Sequence, residues 1–321
     1  MRRSVTVVIA ILLLIVVFLV SWRFDADIKA AAVRASNGSV VVATRCGAIE
    51  YQEAGTGVPL LMIHGSGGGH DQGMAFAEPL AKRGIRLIAM SRFGYLRTPM
   101  PVDASPAAQA DANVCLLDAL GIQQAAVLGV SAGGPSAMQT AIRHPDRVLA
   151  LALVVPLAYK PGSAADSAAP MSPWAQTVLM QLIGSDFLFW SALHLAREQV
   201  IRRVLATPPE LLAHADPAEH QRVSSILEKI LPVSIRAQGL RDDSVLGINI
   251  ARYPLETIRV PTLVISARDD GFGTYARAEY TASQIGNARF IGFEKGGHVL
   301  VGHNDVVMAA IANLVVSRAL P

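Results

Sequence analysis

Ser131 lies in Gly129-Val130-Ser131-Ala132-Gly133, a G-x-S-x-G pentapeptide. The apolar run Ala125 to Leu128 precedes it and reads as a buried strand. A small-residue helix, Ser136 to His144, follows and stops at Pro145. A strand, a sharp turn and a helix in that order lift a serine hydroxyl clear of a sheet. They also set the backbone N–H of Ala132 at a helix N-terminus, whose partial positive charge suits an anion. Nucleophile and half of an anion site thus come from one turn, and Gly129 and Gly133 leave room for the bend. Without its flanking elements the same pentapeptide would be an ordinary turn.

A serine hydroxyl is a weak nucleophile until a base takes its proton. Among eight histidines, His298 in Gly296-Gly297-His298 follows the last apolar strand, where a loop would present it to Ser131. His303 reads as a capping or surface residue at the start of the final helix. His144, His194, His214 and His220 fall on helices or loops without a partner pattern. The imidazole in turn needs a carboxylate to set its tautomer. Arg268-Asp269-Asp270-Gly271 supplies two candidates just past the strand ending at Ser266, although paired acids before a glycine also make plain turns. A second oxyanion donor is expected from His64-Gly65-Ser66-Gly67, where glycines let amides approach a substrate. The rival, a phosphate cradle, requires G-x-x-x-x-G-K-[ST] or G-x-G-x-x-G with a later acid, and neither spacing is present.

These residues need elements to position them. Val40–Thr44 and Ala48–Tyr51 read as an antiparallel pair; Pro59–Ile63, Ile85–Met90, the strand before Ser131 and Val148–Val155 are short apolar strands separated by helices at about Asp71–Arg83 and Pro106–Leu120. Alternation of this kind means a mostly parallel, doubly wound sheet. It breaks at Pro156. Up to about Pro254 the segments are helical, with apolar faces at Val178-Leu179-Leu182-Ile183 and at Val223-Ile226-Leu227-Ile230-Leu231, and Thr207-Pro208 as an N-cap and first turn. Ser163 to Ser172 reads as a flexible entry. Strand 261–266, a helix at 275–285, strand 289–293 and a helix at 304–318 complete the pattern. The expected division is residues 36–156 and 255–321 as one α/β core, 157–254 as a helical cap inserted in it, and 1–35 as a separate segment. Trp174, Phe187, Phe189 and Trp190 belong to the cap.

Taken together, the chain resembles an α/β-hydrolase-fold serine hydrolase over roughly residues 40–318. The elbow at Ser131, the His64-Gly65 loop, the acid pair and Gly-Gly-His occur in the family's order. The acid-to-histidine spacing, 298 − 270 = 28 positions, is also familial. The resemblance selects Asp270, since the family's acid lies three residues after the position held by Ala267, usually glycine. It implies a Ser131–His298–Asp270 triad, an oxyanion hole from the amides of Ala132 and Ser66 or Gly67, and no metal or organic cofactor. A serine at the elbow separates the chain from dehalogenases and epoxide hydrolases of this fold, which use aspartate. The family's Asp-x-x-Gly-x-Gly-x-Ser loop is here Ser91-Arg92-Phe93-Gly94-Tyr95-Leu96-Arg97-Thr98. The implied activity is hydrolysis of a small-molecule carboxylic ester through an acyl-enzyme. The same triad serves thioester, amide or carbon–carbon hydrolysis and cofactor-free peroxidation, and inactive relatives bind ligands without turnover.

Composition is consistent with a core plus a membrane segment: 52% hydrophobic and 17% charged residues, with a net charge of +3. No basic run interleaved with aromatics points to nucleic acid. Oligomeric state is not encoded in any visible pattern. Val5 to Val20 is apolar except for Thr6; as a helix, Val5–Trp22 would be roughly 27 Å long, close to the hydrocarbon thickness. The bulky, charged Trp22-Arg23-Phe24-Asp25 does not suit a cleavage site, so the segment reads as an uncleaved signal anchor. The alternative is a secretory signal cleaved near Ala30-Ala31-Ala32. Arg2 and Arg3 place the N-terminus in the cytoplasm and the domain beyond the far face, with Arg23 and Lys29 weighing against that. Asp25 to Ser39 reads as a linker, so a chain starting near Ala35 is expected to fold alone. Cys46 and Cys115 read as free buried thiols; a bridge between them would require export.

Overall fold

The computed structural model describes residues 2–162 and 184–317, with side chains from Val5 onward. Eight strands form one sheet: β1 (Val40–Thr44), β2 (Gly47–Ala54), β3 (Val58–Ile63), β4 (Ile85–Met90), β5 (Ala125–Val130), β6 (Val148–Val154), β7 (Thr262–Ala267) and β8 (Ala288–Phe293). Their order is β1-β2-β4-β3-β5-β6-β7-β8. β2 is antiparallel to β1 and β4, and all other pairs are parallel. The chain leaves β3 towards β4 on one side and returns to β5 on the other. This reversal opens a crevice beyond the ends of β3 and β5, where ligands bind in open α/β sheets.

Alternate side chains of the buried strands feed two cores. Leu61, Ile63 and Val127 face α3 (Pro106–Ala119), α4 (Gly134–Arg143) and α9 (Thr274–Gln284). Leu60, Met62 and Leu128 face α2 (His70–Ala81) and α10 (Asn304–Val316). The strands and helices expected from alternation are all present among the described residues. Between β6 and β7 stand α5 (Asp186–Leu195), α6 (Arg197–Val204), α7 (Pro217–Glu228) and α8 (Ala237–Ile248), with no strand among the described residues. Trp190, Leu193, Val200, Ile201, Val223 and Leu227 form the heart of a third core there. The entry at Ser163–Ser172, Trp174 and the face at Val178–Ile183 lie outside the described residues.

Three local expectations are corrected. Residues 25–36 are not a linker: α1 (Arg2–Ser36) is one unbroken helix. No glycine or proline interrupts it before Gly38, whose left-handed φ of 76° ends it. Phe24, Ile28, Ala31 and Ala35 recur at helical spacing, and the first three enter the third core with Trp190. Trp190 Nε1 donates to Asp27 (2.9 Å), and the Phe24 ring meets Phe187 and Trp190 edge-on at 5.3 and 5.7 Å. The cysteines are not free thiols either. The β1–β2 turn packs on α3 and joins Cys46 to Cys115 in a disulfide, with Cα atoms 6.0 Å apart. Cys46 lies in the turn and Cys115 on α3, and no local pattern pairs them. Finally, Thr207 does not cap a helix: its hydroxyl donates to Leu205 O and accepts from Val299 N, tying the cap to the loop that carries His298.

Candidate active site

Ser131 stands between β5 and α4 with φ of 51°, the left-handed region, which is strained for a residue with a side chain. Close packing enforces the bend. A Cβ on Gly129 would lie 2.6 Å from Cβ of Ala137, and one on Gly133 would lie 2.4 Å from Ile63 O. These glycines let α4 close on β5 and the elbow close on the end of β3, which holds the hydroxyl over the crevice.

His298 follows β8 and faces the elbow. Its Nε2 is 2.9 Å from Ser131 Oγ and its Nδ1 is 2.8 Å from Asp270 Oδ2. Asp270 is buried, and Oδ2 also accepts from Thr274 Oγ1 while Oδ1 accepts from the N–H of Phe272 (2.9 Å). Burial opposes its ionisation, but the His298 charge and these hydrogen bonds outweigh it and hold the carboxyl below the usual aspartate value. An ionised Asp270 takes a proton on Nδ1, leaving Nε2 as the acceptor for the serine proton. The Phe272 ring meets His298 edge-on at 4.8 Å. Thr274 was not singled out in the sequence, although a hydroxyl four residues after an acid, at the first turn of a helix, is a readable signal.

Asp269 points elsewhere. Its carboxylate accepts from the N–H groups of Gly296 (3.2 Å) and Gly297 (2.8 Å), the turn immediately before His298. Asp269→Asn keeps one acceptor oxygen and loses the other. We expect kcat to fall no more than about 10-fold, far less than for a change at Asp270. Steady-state kinetics of the two variants side by side check this; a larger loss at Asp269 would exchange their roles.

The Gly-rich loop after β3 lies beside the elbow. His64 is fully buried; its Nε2 accepts from the N–H of Arg92 (3.0 Å), so Nδ1 carries the proton and donates to Gly65 O (2.6 Å). Burial, reinforced by the Arg92 charge, keeps it neutral, well below the ordinary histidine value. His64 therefore shapes the loop. The Gly67 amide donates to the Tyr95 hydroxyl (3.2 Å) and so is already engaged. That leaves Ser66, whose N–H has no acceptor among the described residues, and Ala132 in the first turn beyond Ser131. The sequence leaves Ser66 and Gly67 as alternatives because the deciding group, Tyr95, is 28 positions away.

A cavity of about 420 Å³ opens over Ser131 and His298. Its walls are chiefly apolar and come from core and cap, including Phe76, Val155, Phe189, Ile226 and Leu240. Two cations line it. Arg222 is held by Glu219 (2.7 Å) and Val299 O (2.7 Å), whereas Arg203 makes no ion pair among the described residues. His303 makes other contacts: it stacks on Phe293 and bonds Lys295 O.

Comparisons with known proteins agree with this architecture. The family model described as alpha/beta hydrolase fold matches residues 58–304. The 2-hydroxymuconate semialdehyde hydrolase of Pseudomonas sp. (strain CF600) is 41% identical over 106 residues, 32% of this chain and 38% of that one, so the match spans under two-fifths of the relative's length. The 2-hydroxy-6-oxo-6-phenylhexa-2,4-dienoate hydrolase of Comamonas testosteroni is 26% identical over 255 residues, 78% of this chain and 84% of that one. Among solved structures, an alpha/beta hydrolase fold protein from Nakamurella multipartita superposes with a TM-score of 0.67 at 28% identity, covering 88% of this chain and 99% of its own. With a family match across most of its length and a sheet to fit, the chain belongs to the α/β-hydrolase-fold family.

Proposed function

We propose that this hydrolase transfers an acyl group to Ser131 and then to water, with His298 as base, Asp270 as its orienting carboxylate, and the amides of Ser66 and Ala132 as oxyanion donors. One observation carries the reading: Ser131 Oγ, His298 and Asp270 form a continuous relay with contacts of 2.9 and 2.8 Å. His298 Nε2 takes the serine proton as Oγ adds to a carbonyl carbon. The resulting oxyanion is stabilised by the two amides. Collapse breaks the bond to the leaving group, which takes the proton from His298. Water then adds to the acyl-serine by the same route and releases the acid.

The bond favoured by the relatives is carbon–carbon. A 2-hydroxy-6-oxo-6-phenylhexa-2,4-dienoate contains no ester or amide, so its hydrolysis divides a chain beside a carbonyl, and the leaving carbon takes the proton. Arg203 is compatible with an acidic substrate of this kind: it is an exposed arginine, without an ion-pair partner among the described residues, that also lines the cavity. Carboxylic-ester hydrolysis is the second reading, favoured by the apolar walls, which would take an acyl chain. A fluorophosphonate should label the purified protein at Ser131, found by peptide mapping. Labelled protein should then lose turnover of both an oxo-dienoate and p-nitrophenyl butyrate. Higher kcat/KM on the dienoate supports the first reading and higher kcat/KM on the ester the second; absence of any label would sink both.

We infer further that α1 spans a membrane and places the catalytic domain outside the cytoplasm. Its apolar part, Val5 to Val20, is exposed throughout. The Cys46–Cys115 bridge supports an oxidising compartment. Protease added to spheroplasts should digest the domain; protection until lysis would reverse the orientation.

A further inference from the structure

Two buried arginines cross between cap and core in opposite directions. Arg92, in the loop after β4, donates to both oxygens of Asp243 on α8 (2.8 and 2.6 Å). Arg236, just before α8, donates to both oxygens of Asp71 on α2 (3.1 and 2.7 Å) and to Gly68 O (2.6 Å). All four side chains are buried. Desolvating such pairs costs about as much as their attraction returns, so their value lies in what they position. Both converge on the Gly-rich loop beside Ser131. Arg236 holds it at Gly68. Asp243 holds it through Tyr95, whose hydroxyl donates to Asp243 Oδ2 and accepts from the Gly67 N–H. The fit is close. Gly239 of α8 lies so near the Tyr95 ring that a Cβ there would come within 2.1 Å of it, and Gly239 N donates to Gly94 O (3.1 Å).

Peptide planarity turns these contacts into a direction. In a trans peptide the C=O and the following N–H point opposite ways. Gly65 O accepts from His64 Nδ1 (2.6 Å), Gly68 N (3.3 Å) and Arg92 Nη2 (3.5 Å). The Ser66 N–H of the same plane is therefore aimed away from these donors, and Gly65, Ser66 and Ser131 all line the cavity. The next plane, between Ser66 and Gly67, is fixed by the bond from Gly67 N to Tyr95. The two planes meet at the Ser66 Cα, so the Tyr95 bond limits rotation there, and without it only the bonds to Gly65 O hold the Ser66 N–H in place.

We propose that Tyr95 is a positioning residue for the Ser66 amide, held in its accepting orientation by Asp243 of the cap. The proposal rests on reading Ser66 and Ala132 as the oxyanion donors. A carboxylate already bound by Arg92 only accepts, so it draws the phenol hydrogen to itself and leaves a lone pair for Gly67 N–H. The α8 half of the cap is then part of the catalytic geometry as well as a wall of the pocket.

The test uses the full chain, p-nitrophenyl butyrate and a trifluoromethyl ketone, which forms an oxyanion on a reactive serine. Tyr95→Phe removes one hydroxyl and keeps the ring against His64 and Gly239. We expect kcat to fall about 10- to 100-fold, less than or comparable to outright loss of an oxyanion donor, with KM little changed. Affinity for the ketone should fall in step with kcat/KM, and Asp243→Asn should show the same pattern. A purely structural role would lower the melting temperature and spare the ketone affinity. A folded Tyr95→Phe with parental kcat and ketone affinity overturns the proposal, while fluorophosphonate labelling of the parent keeps the functional reading. If the parent is not labelled at Ser131, the underlying reading has failed and the proposal with it. Should Tyr95→Phe not fold, Asp243→Asn is judged by the same two quantities.

Discussion

Ser131→Ala should lower kcat by about 10⁶-fold and Asp270→Asn by about 10⁴-fold, the scale found when a triad nucleophile or its acid is removed elsewhere. The alanine variant retains Gly129, Gly133 and the packing that bends the elbow, so it should fold and bind while forming no acyl-enzyme. Relief of the φ strain at 131 is small, because alanine there meets the same left-handed penalty. Asp270→Asn is the more instructive change. Oδ2 of Asp270 receives both His298 Nδ1 and Thr274 Oγ1, and Oδ1 receives Phe272 N. An amide can present an acceptor to one side only. If its oxygen faces Phe272, its NH₂ faces His298 and forces Nδ1 to become the acceptor. Nε2 then carries the proton and cannot take another from Ser131. Single-turnover acylation of both variants by p-nitrophenyl butyrate measures this. Parental acylation in Ser131→Ala would remove the nucleophile assignment, and parental acylation in Asp270→Asn would leave His298 without need of its carboxylate.

The sheet was legible because its signal is local. Buried parallel strands are short apolar runs, and here all but β6, which leads into the cap, are followed by a helix of ordinary length. The three residues proposed as a triad were legible in part for a related reason, the resemblance alone selecting Asp270 over Asp269. Each sits just past the end of a strand, so knowing the strands brings Ser131, Asp270 and His298 to one sheet edge before any coordinate is known. The contacts that were not legible cross between elements with no common period. Nothing near Gly67 announces that Tyr95 occupies its amide, and nothing near Arg92 announces Asp243, 151 positions on. The disulfide fails the same way: Cys46 and Cys115 share no pattern and meet only because a hairpin turn packs on α3. The helix beyond Val20 is different, because its signal was present. Phe24, Ile28, Ala31 and Ala35 fall at i, i+4, i+7 and i+11, with no breaker between them. The strongly apolar run before them drew a boundary at Trp22 that the backbone does not observe.

Chains cut on either side of that stripe should behave differently. One beginning at Ser21 loses the apolar run and keeps Phe24 to Ser36. It should fold and retain parental kcat on p-nitrophenyl butyrate without a membrane. One beginning at Ser36 loses Phe24, Asp27, Ile28 and Ala31, which cover Trp190, and loses the Ala35 carbonyl that accepts from His70 Nε2 (2.9 Å). Removing two partly buried large side chains and two hydrogen bonds costs roughly 3–5 kcal/mol. The cost falls first on α5, which meets α1 through Phe187 and Trp190. Phe189 of α5 lines the cavity over Ser131, so loosening α5 opens the site rather than only destabilising the chain. We therefore expect the shorter chain to aggregate or to melt well below the longer one, with KM raised more than kcat is lowered in whatever fraction stays folded. Melting curves and kinetics on the two chains decide the matter. Equal stability and equal activity would return residues 25–35 to the role of a linker and leave their packing on the cap without consequence.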